Sequence, residues 1–170
     1  MSGEKKRQAL LITDFSTAPG LDWFVVNDNV MGGRSRGSFH LEEGRLVFSG
    51  STNTDGGGFA SIRTRGQLPS LDNCAAIILH ALGDGRRYVL RLENADGVAY
   101  WADFEPETAS LQPVRVALDA FRPRFRGRWL SGPALSAGAV TALGIMCFDG
   151  RDGPFSLTLS RIEAERAVAA

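Results

Sequence analysis

Glycine and arginine recur together in four short segments of this sequence, three of them with aspartate as well, and its recognisable polar chemistry is concentrated there. The first is Asn27-Asp28-Asn29-Val30-Met31-Gly32-Gly33-Arg34-Ser35. Two glycines let the backbone turn sharply and present successive N–H groups, and an Arg and a hydroxyl follow at once, which are the parts of an anion-binding nest. The same residues would serve equally as a glycine turn between strands, with Asp28 and Ser35 bonded to local backbone. No Gly-Lys-Ser/Thr ending opens a helix here, so this is not a nucleotide phosphate loop. In the second segment, Asp55-Gly56-Gly57-Gly58-Phe59-Ala60-Ser61-Ile62-Arg63, three glycines enter a strand and suit a bulge or a close approach by another backbone. If extended, Phe59, Ser61 and Arg63 face one way, where Arg63 either binds a carboxylate or sugar hydroxyls or lies as a packed stem with a solvated head. The third is Gly83-Asp84-Gly85-Arg86-Arg87-Tyr88, a tight turn in which Asp84 and Arg86 either pair with each other or bind a ligand.

The fourth segment, Phe121 to Trp129, carries Arg122, Arg124, Arg126 and Arg128 with aromatics interleaved. In a single extended strand all four guanidiniums would share a side, like a phosphate-tracking strip with stacking groups. The charge balance opposes that reading. Nineteen cationic residues, all but Lys5 and Lys6 of them arginine, meet nineteen acidic ones in 170 residues, and no nucleic-acid motif accompanies the strip. A solvated or partner-facing loop is expected instead. Catalytic constellations are sparse. His40 and His80 have no metal-ligand spacing, no Gly-x-Ser-x-Gly elbow occurs, and Cys74 and Cys147 sit alone in apolar runs as core thiols. Asp28 with Asp84 remains the one acid/base couple that could be drawn, if the fold brought them within ~5–9 Å.

What must position these residues is a set of short strands. Apolar or alternating runs recur at 10–15, 23–26, 37–41, 45–49, 59–64, 75–81, 88–93, 99–104, 114–118, 142–148 and 155–162, separated by Gly, Pro, Asp and Asn. The clearest pair is a hairpin over 87–93 and 98–104, turning on Asn94-Ala95-Asp96-Gly97, with Tyr88, Leu90 and Leu92 on one face and Val89 and Arg91 on the other. Helical patterning is nearly absent. The segment 159–169 is the best candidate, and its start reads equally as the end of a strand. Residues 121–138 form the longest stretch with no element assigned. An all-β domain follows, a jelly-roll β-sandwich in one unit over 1–170. No apolar run approaches a membrane span or a secretory core, which leads us to expect a cytoplasmic protein with no direct membrane insertion.

Taken in order, these segments resemble the complex I intermediate-associated protein 30 family. The matching residues are Trp23, Asn27 to Ser35, Phe48-Ser49-Gly50, Gly57 to Arg63, Gly83 to Tyr88, Phe121-Arg122-Pro123, Phe125-Arg126-Gly127, Leu143-Gly144-Ile145 and Gly153 to Leu157. Leu111 stands where a Trp is common in the family, and Ala117 where a Pro is. The resemblance spans about 12–163, leaving 1–9 and 164–170 as flexible termini. It implies a galactose-binding-like sandwich and a minimal, non-catalytic version of an assembly factor, without metal or cofactor. Such a factor would hold a protein partner, among them subunits of a membrane respiratory complex, and sit at the inner membrane only through that partner. The expected binding residues are Asp28, Arg34, Ser35, Arg63, Asp84, Arg86 and Arg126. The alternative is a carbohydrate-binding module, with Trp23, Trp101 or Trp129 as an exposed platform for a sugar or small-molecule ligand.

Overall fold

The computed structural model describes residues 9–16, 21–125 and 128–167. Among them are thirteen strands: β1 (Ala9–Asp14), β2 (Asp22–Asn27), β3 (Arg36–Glu42), β4 (Arg45–Thr52), β5 (Ala60–Arg65), β6 (Cys74–Leu82), β7 (Tyr88–Asn94), β8 (Ala99–Phe104), β9 (Gln112–Ala117), β10 (Arg122–Phe125), β11 (Arg128–Trp129), β12 (Val140–Cys147) and β13 (Gly153–Arg166). They form two antiparallel sheets. One runs β3-β4-β13-β6-β9, with β1 also on β13; the other runs β11-β10-β8-β7-β12-β5-β2. The core lies between them. Phe48 and Leu46 of β4, Leu157 and Leu159 of β13, and Ile77 and Leu79 of β6 face Ile62 of β5, Tyr88, Leu90 and Leu92 of β7, and Ile145 of β12, and all are closed to solvent. The alternation that marks half-buried strands is what delivers those side chains to one side of each sheet.

β13 organises the first sheet. Its first half pairs with β4 from Gly153↔Thr52 to Leu159↔Leu46, and its second half pairs with β1 from Asp14↔Arg161 to Ala9↔Glu165. Its other edge is taken by β6 from Thr158↔Leu82 to Arg166↔Cys74, with a bulge between Leu159 and Arg161. The segment weighed above as a helix is therefore strand as far as Arg166, because Leu157, Leu159, Ile162 and Ala164 fill the core at strand spacing across that bulge. The stretch 121–138 also holds structure that we did not anticipate. β10 pairs with β8 and with the short β11, so Trp129 returns opposite Arg124. Arg128 then stands opposite Phe125, and the loop expected here is in part strand, with Arg122 and Arg124 on β10 and Trp129 beside them. No helix among the described residues is long and apolar enough to cross a membrane. Of the flexible termini expected at 1–9 and 164–170, residues 1–8 and 168–170 lie outside the described residues, whereas Ala9 pairs with Glu165 and Ala164 to Arg166 continue β13.

Candidate functional site

Asp28 sits where β2 ends and a 3₁₀ turn, Asp28–Met31, begins, and it is fully buried. Its Oδ1 accepts the Ser35 N–H at 2.9 Å; its Oδ2 accepts the N–H of Gly58 at 2.7 Å and of Phe59 at 3.2 Å. Gly33 and Gly57 are required by this packing. A Cβ at Gly33 would stand 2.3 Å from the Asp28 Cγ, and one at Gly57 2.6 Å from its Cβ. Burial pushes the carboxyl pKa up, and hydrogen bonds from Ser35, Gly58 and Phe59 outweigh it, leaving Asp28 below the ordinary carboxylate value. Ser35 continues the stitching: its Oγ accepts the Asn53 N–H at 2.8 Å. The turn glycines and the triple-glycine entry are thus two halves of one carboxylate-centred joint between the β2–β3 and β4–β5 connections.

A second joint forms around Arg86, only 5% exposed. Its Nε and Nη2 grip both oxygens of Asp149 at 2.8 and 2.7 Å, a bidentate pair, while Nη1 donates to the carbonyls of Gly153 and Pro154 at 3.0 Å and Nη2 to Thr52 Oγ1 at 2.7 Å. The Asp84–Arg86 side-chain pair read from spacing is replaced by this one. Asp84 accepts the Arg86 backbone N–H at 3.1 Å, the Tyr88 hydroxyl at 3.0 Å and the Ser156 N–H at 2.6 Å. The Asp149 carboxyl is held below its usual pKa first by Arg86, against the opposing effect of burial. Asp28, Ser35, Asp84 and Arg86 therefore direct their hydrogen bonds into the chain itself.

The outward face of the second sheet is different in kind. Cross-strand register lines up Phe24, Arg63, Gly144, Arg91, Trp101 and Arg122 in one row across β2, β5, β12, β7, β8 and β10. Gly144 makes the row possible, because a Cβ there would come within 3.2 Å of the Arg63 Cγ that lies across it. Arg124 lies over Trp101 at 4.3 Å and Trp129 at 4.7 Å, Arg122 over Trp129 at 4.5 Å, and Arg65 over Phe24 at 4.2 Å. Between them is a hollow of about 270 Å³ lined by Arg63, Arg91, Gly97, Ala99, Trp101, Arg124 and Phe125. Arg91 pairs with Glu93 at 2.7 Å, but the Nε of Arg63 and of Arg124 are buried and donate to nothing among the described residues. Burial first, and then the charge of Arg91, lower the Arg63 pKa to about 10, against the opposing pull of Glu93, so it is still cationic at neutral pH.

Of the expected site residues, Arg63 alone lines this hollow. Arg34 and Ser35 border a shallower one of about 430 Å³ beside Asn27, Gly33 and Arg36, and Arg126 lies outside the described residues. Arg91, Arg124 and Gly144 were not singled out as binding residues. Arg91 was legible in the β7–β8 hairpin, where it faces Trp101, but Arg124 needed the unanticipated β10 to place it. Trp23 is half-buried against Phe15, so it offers no platform, while Trp129 is 45% exposed. The sheet histidine His80 is bonded to Glu163, and Cys147 is buried while Cys74 is partly so. Among the described residues no cluster of His, Cys, Asp and Glu could hold a metal.

Residues 13–159 match the profile of complex I intermediate-associated protein 30, most of the chain. The chain belongs to that family. No curated protein sequence matches it. Solved structures similar to it in fold include a family 11 carbohydrate-binding module from Clostridium thermocellum in complex with a β-1,3-1,4-mixed-linked tetrasaccharide, at 16% identity and TM-score 0.64 over 95% of this chain and 98% of that one. An agarase matches at 16% identity and TM-score 0.66, over 95% of this chain but 25% of the enzyme. A family 29 carbohydrate-binding module matches at 8% and 0.58, over 95% and 90%. At such identities the likeness establishes the galactose-binding-like jelly roll, which this member of the complex I intermediate-associated protein 30 family shares.

Proposed function

We propose that this chain is a non-catalytic binding domain that holds a protein partner during assembly of respiratory complex I, through the outward face of its second sheet. Family membership supports the assembly role, and one contrast between the sheets carries the choice of surface. On the first sheet the outward charges of β6, β9 and β13 answer one another: Arg115 grips Glu165 at 2.7 Å, and Arg161 and His80 share Glu163. On the second, Arg63 and Arg124 have no ion-pair partner among the described residues and stand amid Trp101, Trp129 and Phe125. Arginine and tryptophan are the residues that dominate binding energy at protein interfaces. The carboxylates that could do acid/base work, Asp28 and Asp84, are each occupied by backbone N–H groups, which supports a role without catalysis.

The test is co-purification of complex I subunits from detergent-solubilised native membranes, with mass spectrometric identification. Wild-type protein is expected to retain them, Arg122→Glu/Trp129→Ala to lose them, and Arg115→Glu on the opposite face to keep them. Failure of the wild type to retain any subunit, together with normal complex I in a deletion strain, would end this reading. A sugar-binding reading draws on the exposed Trp129 and on the carbohydrate-binding modules of like fold. Against it, Trp101 and Trp129 meet at 81° and both carry the Arg124 guanidinium, so they present no flat stacking surface.

A further inference from the structure

We infer that the hollow between Arg63, Arg91 and Arg124 is a carboxylate-binding site, filled by an aspartate or glutamate side chain of the partner. This assignment of the occupant rests on the partner-holding reading; the site chemistry is argued from the hollow alone. Three arginines line it against one glutamate, Glu93, which bonds to Arg91 and only draws on Arg63 from a distance, so the hollow carries excess positive charge. The Arg63 stem is drawn over Gly144 toward Arg91, bringing like charges together in a place partly closed to water. Such an arrangement is costly when empty and is relieved by an anion. The buried Nε groups of Arg63 and Arg124 are donors already stripped of water and lacking an acceptor.

The shape of the donor set selects among anions. The Arg124 guanidinium, laid over the Trp101 and Trp129 indoles, offers a planar fork, as Arg63 and Arg91 beside it do, and such forks match the planar, two-oxygen edge of a carboxylate. Phosphate sites usually add backbone N–H groups or hydroxyls directed at a tetrahedron of oxygens. Here the Gly97 N–H is already given to Asn94 at 2.9 Å, Ala99 belongs to the β7–β8 ladder, and among the described residues no hydroxyl lines the hollow. Trp101 and Phe125 supply walls against which the methylene stem of an acidic side chain packs. A dianion would also lose more hydration on entering than a carboxylate does.

The experiment follows the arginine Nε–Hε resonances of the intact protein by NMR during titration with N-acetylglutamate blocked as its α-amide, so that the side chain is its one carboxylate, at constant ionic strength. Inorganic phosphate and a neutral mixed-linked glucan oligosaccharide are run in parallel. N-acetylglutamate is expected to move the Arg63 and Arg124 signals saturably. Arg63→Gln and Arg124→Gln, each checked for a native spectrum, are expected to weaken binding at least ~tenfold, while Arg115→Gln leaves it unchanged. Absence of saturable shifts at tens of millimolar, or shifts that survive both variants, overturns the site. Tighter binding of phosphate or of the neutral sugar overturns the assignment to carboxylate. Complex I subunits retained by a protein that does not bind N-acetylglutamate sink this inference alone. N-acetylglutamate bound by a protein that retains no subunits upholds the site and removes only its proposed occupant.

Discussion

With its carboxylate closed off from water and three amide N–H groups directed at it, Asp28 does for two irregular connections what ladder hydrogen bonds do inside a sheet. Asn at this position keeps the shape but turns an N–H₂ group toward amide donors, and Ala leaves all of them unpaired. A buried donor left without a partner costs about 1–3 kcal/mol, so Asp28→Ala is expected to lose at least ~3 kcal/mol in urea denaturation at pH 7, and Asp28→Asn rather less. The acid limb of stability follows from the same geometry. The folded-state pKa of Asp28 lies below its unfolded value of ~3.9, so its contribution is complete above that value and fades as pH falls through the folded pKa. Asp149, held down by Arg86, acts in the same direction. Denaturation midpoints measured from pH 7 down to pH 2 should therefore fall less steeply below pH ~4 for Asp28→Asn than for wild type. Parallel curves would show that folding does not depress the Asp28 pKa.

At the scale of elements, the glycine turns are where small changes become expensive. Gly33→Ala would drive a methyl into the Asp28 carboxylate, which cannot retreat because backbone amides hold both of its oxygens. Gly132→Ala meets nothing within 4 Å. Thermal unfolding should show a drop of several degrees for the first and almost none for the second. These joints also mark how far a sequence can be read. The β7–β8 hairpin was legible because its turn residues and its period of two are adjacent in the chain. The Asp28 and Arg86 motifs were legible as residue types, but not as joints. Their partners Gly58 and Asp149 lie 30 and 63 residues away, a separation that local pattern does not encode. β10 escaped notice for another reason: its Arg-Pro-Arg-Phe has little apolar alternation, and it is held by pairing with β8 and by guanidinium–indole stacking.

Across the whole molecule, the two sheets present one charge-paired face and one arginine–aromatic face, with a continuous apolar layer between. Cys147 lies in that layer, closed to solvent, with its thiol pushed up to about 12 chiefly by burial. Cys74, at the start of β6, is only partly covered. Iodoacetamide should therefore label Cys74 in the native protein, whereas labelling of Cys147 should track global unfolding across a urea series. Labelling of Cys147 in water at the rate of Cys74 would show that the layer opens locally. The position of β13 has a further consequence, which concerns the order of synthesis. Both edges of β13 carry strands that precede it in the chain, so β1, β4 and β6 have no completed sheet to join until residues 153–166 leave the ribosome. Until then the edge of each that β13 will cover, and its apolar face, stay open. A nascent chain of this design is expected to be a client for holding chaperones.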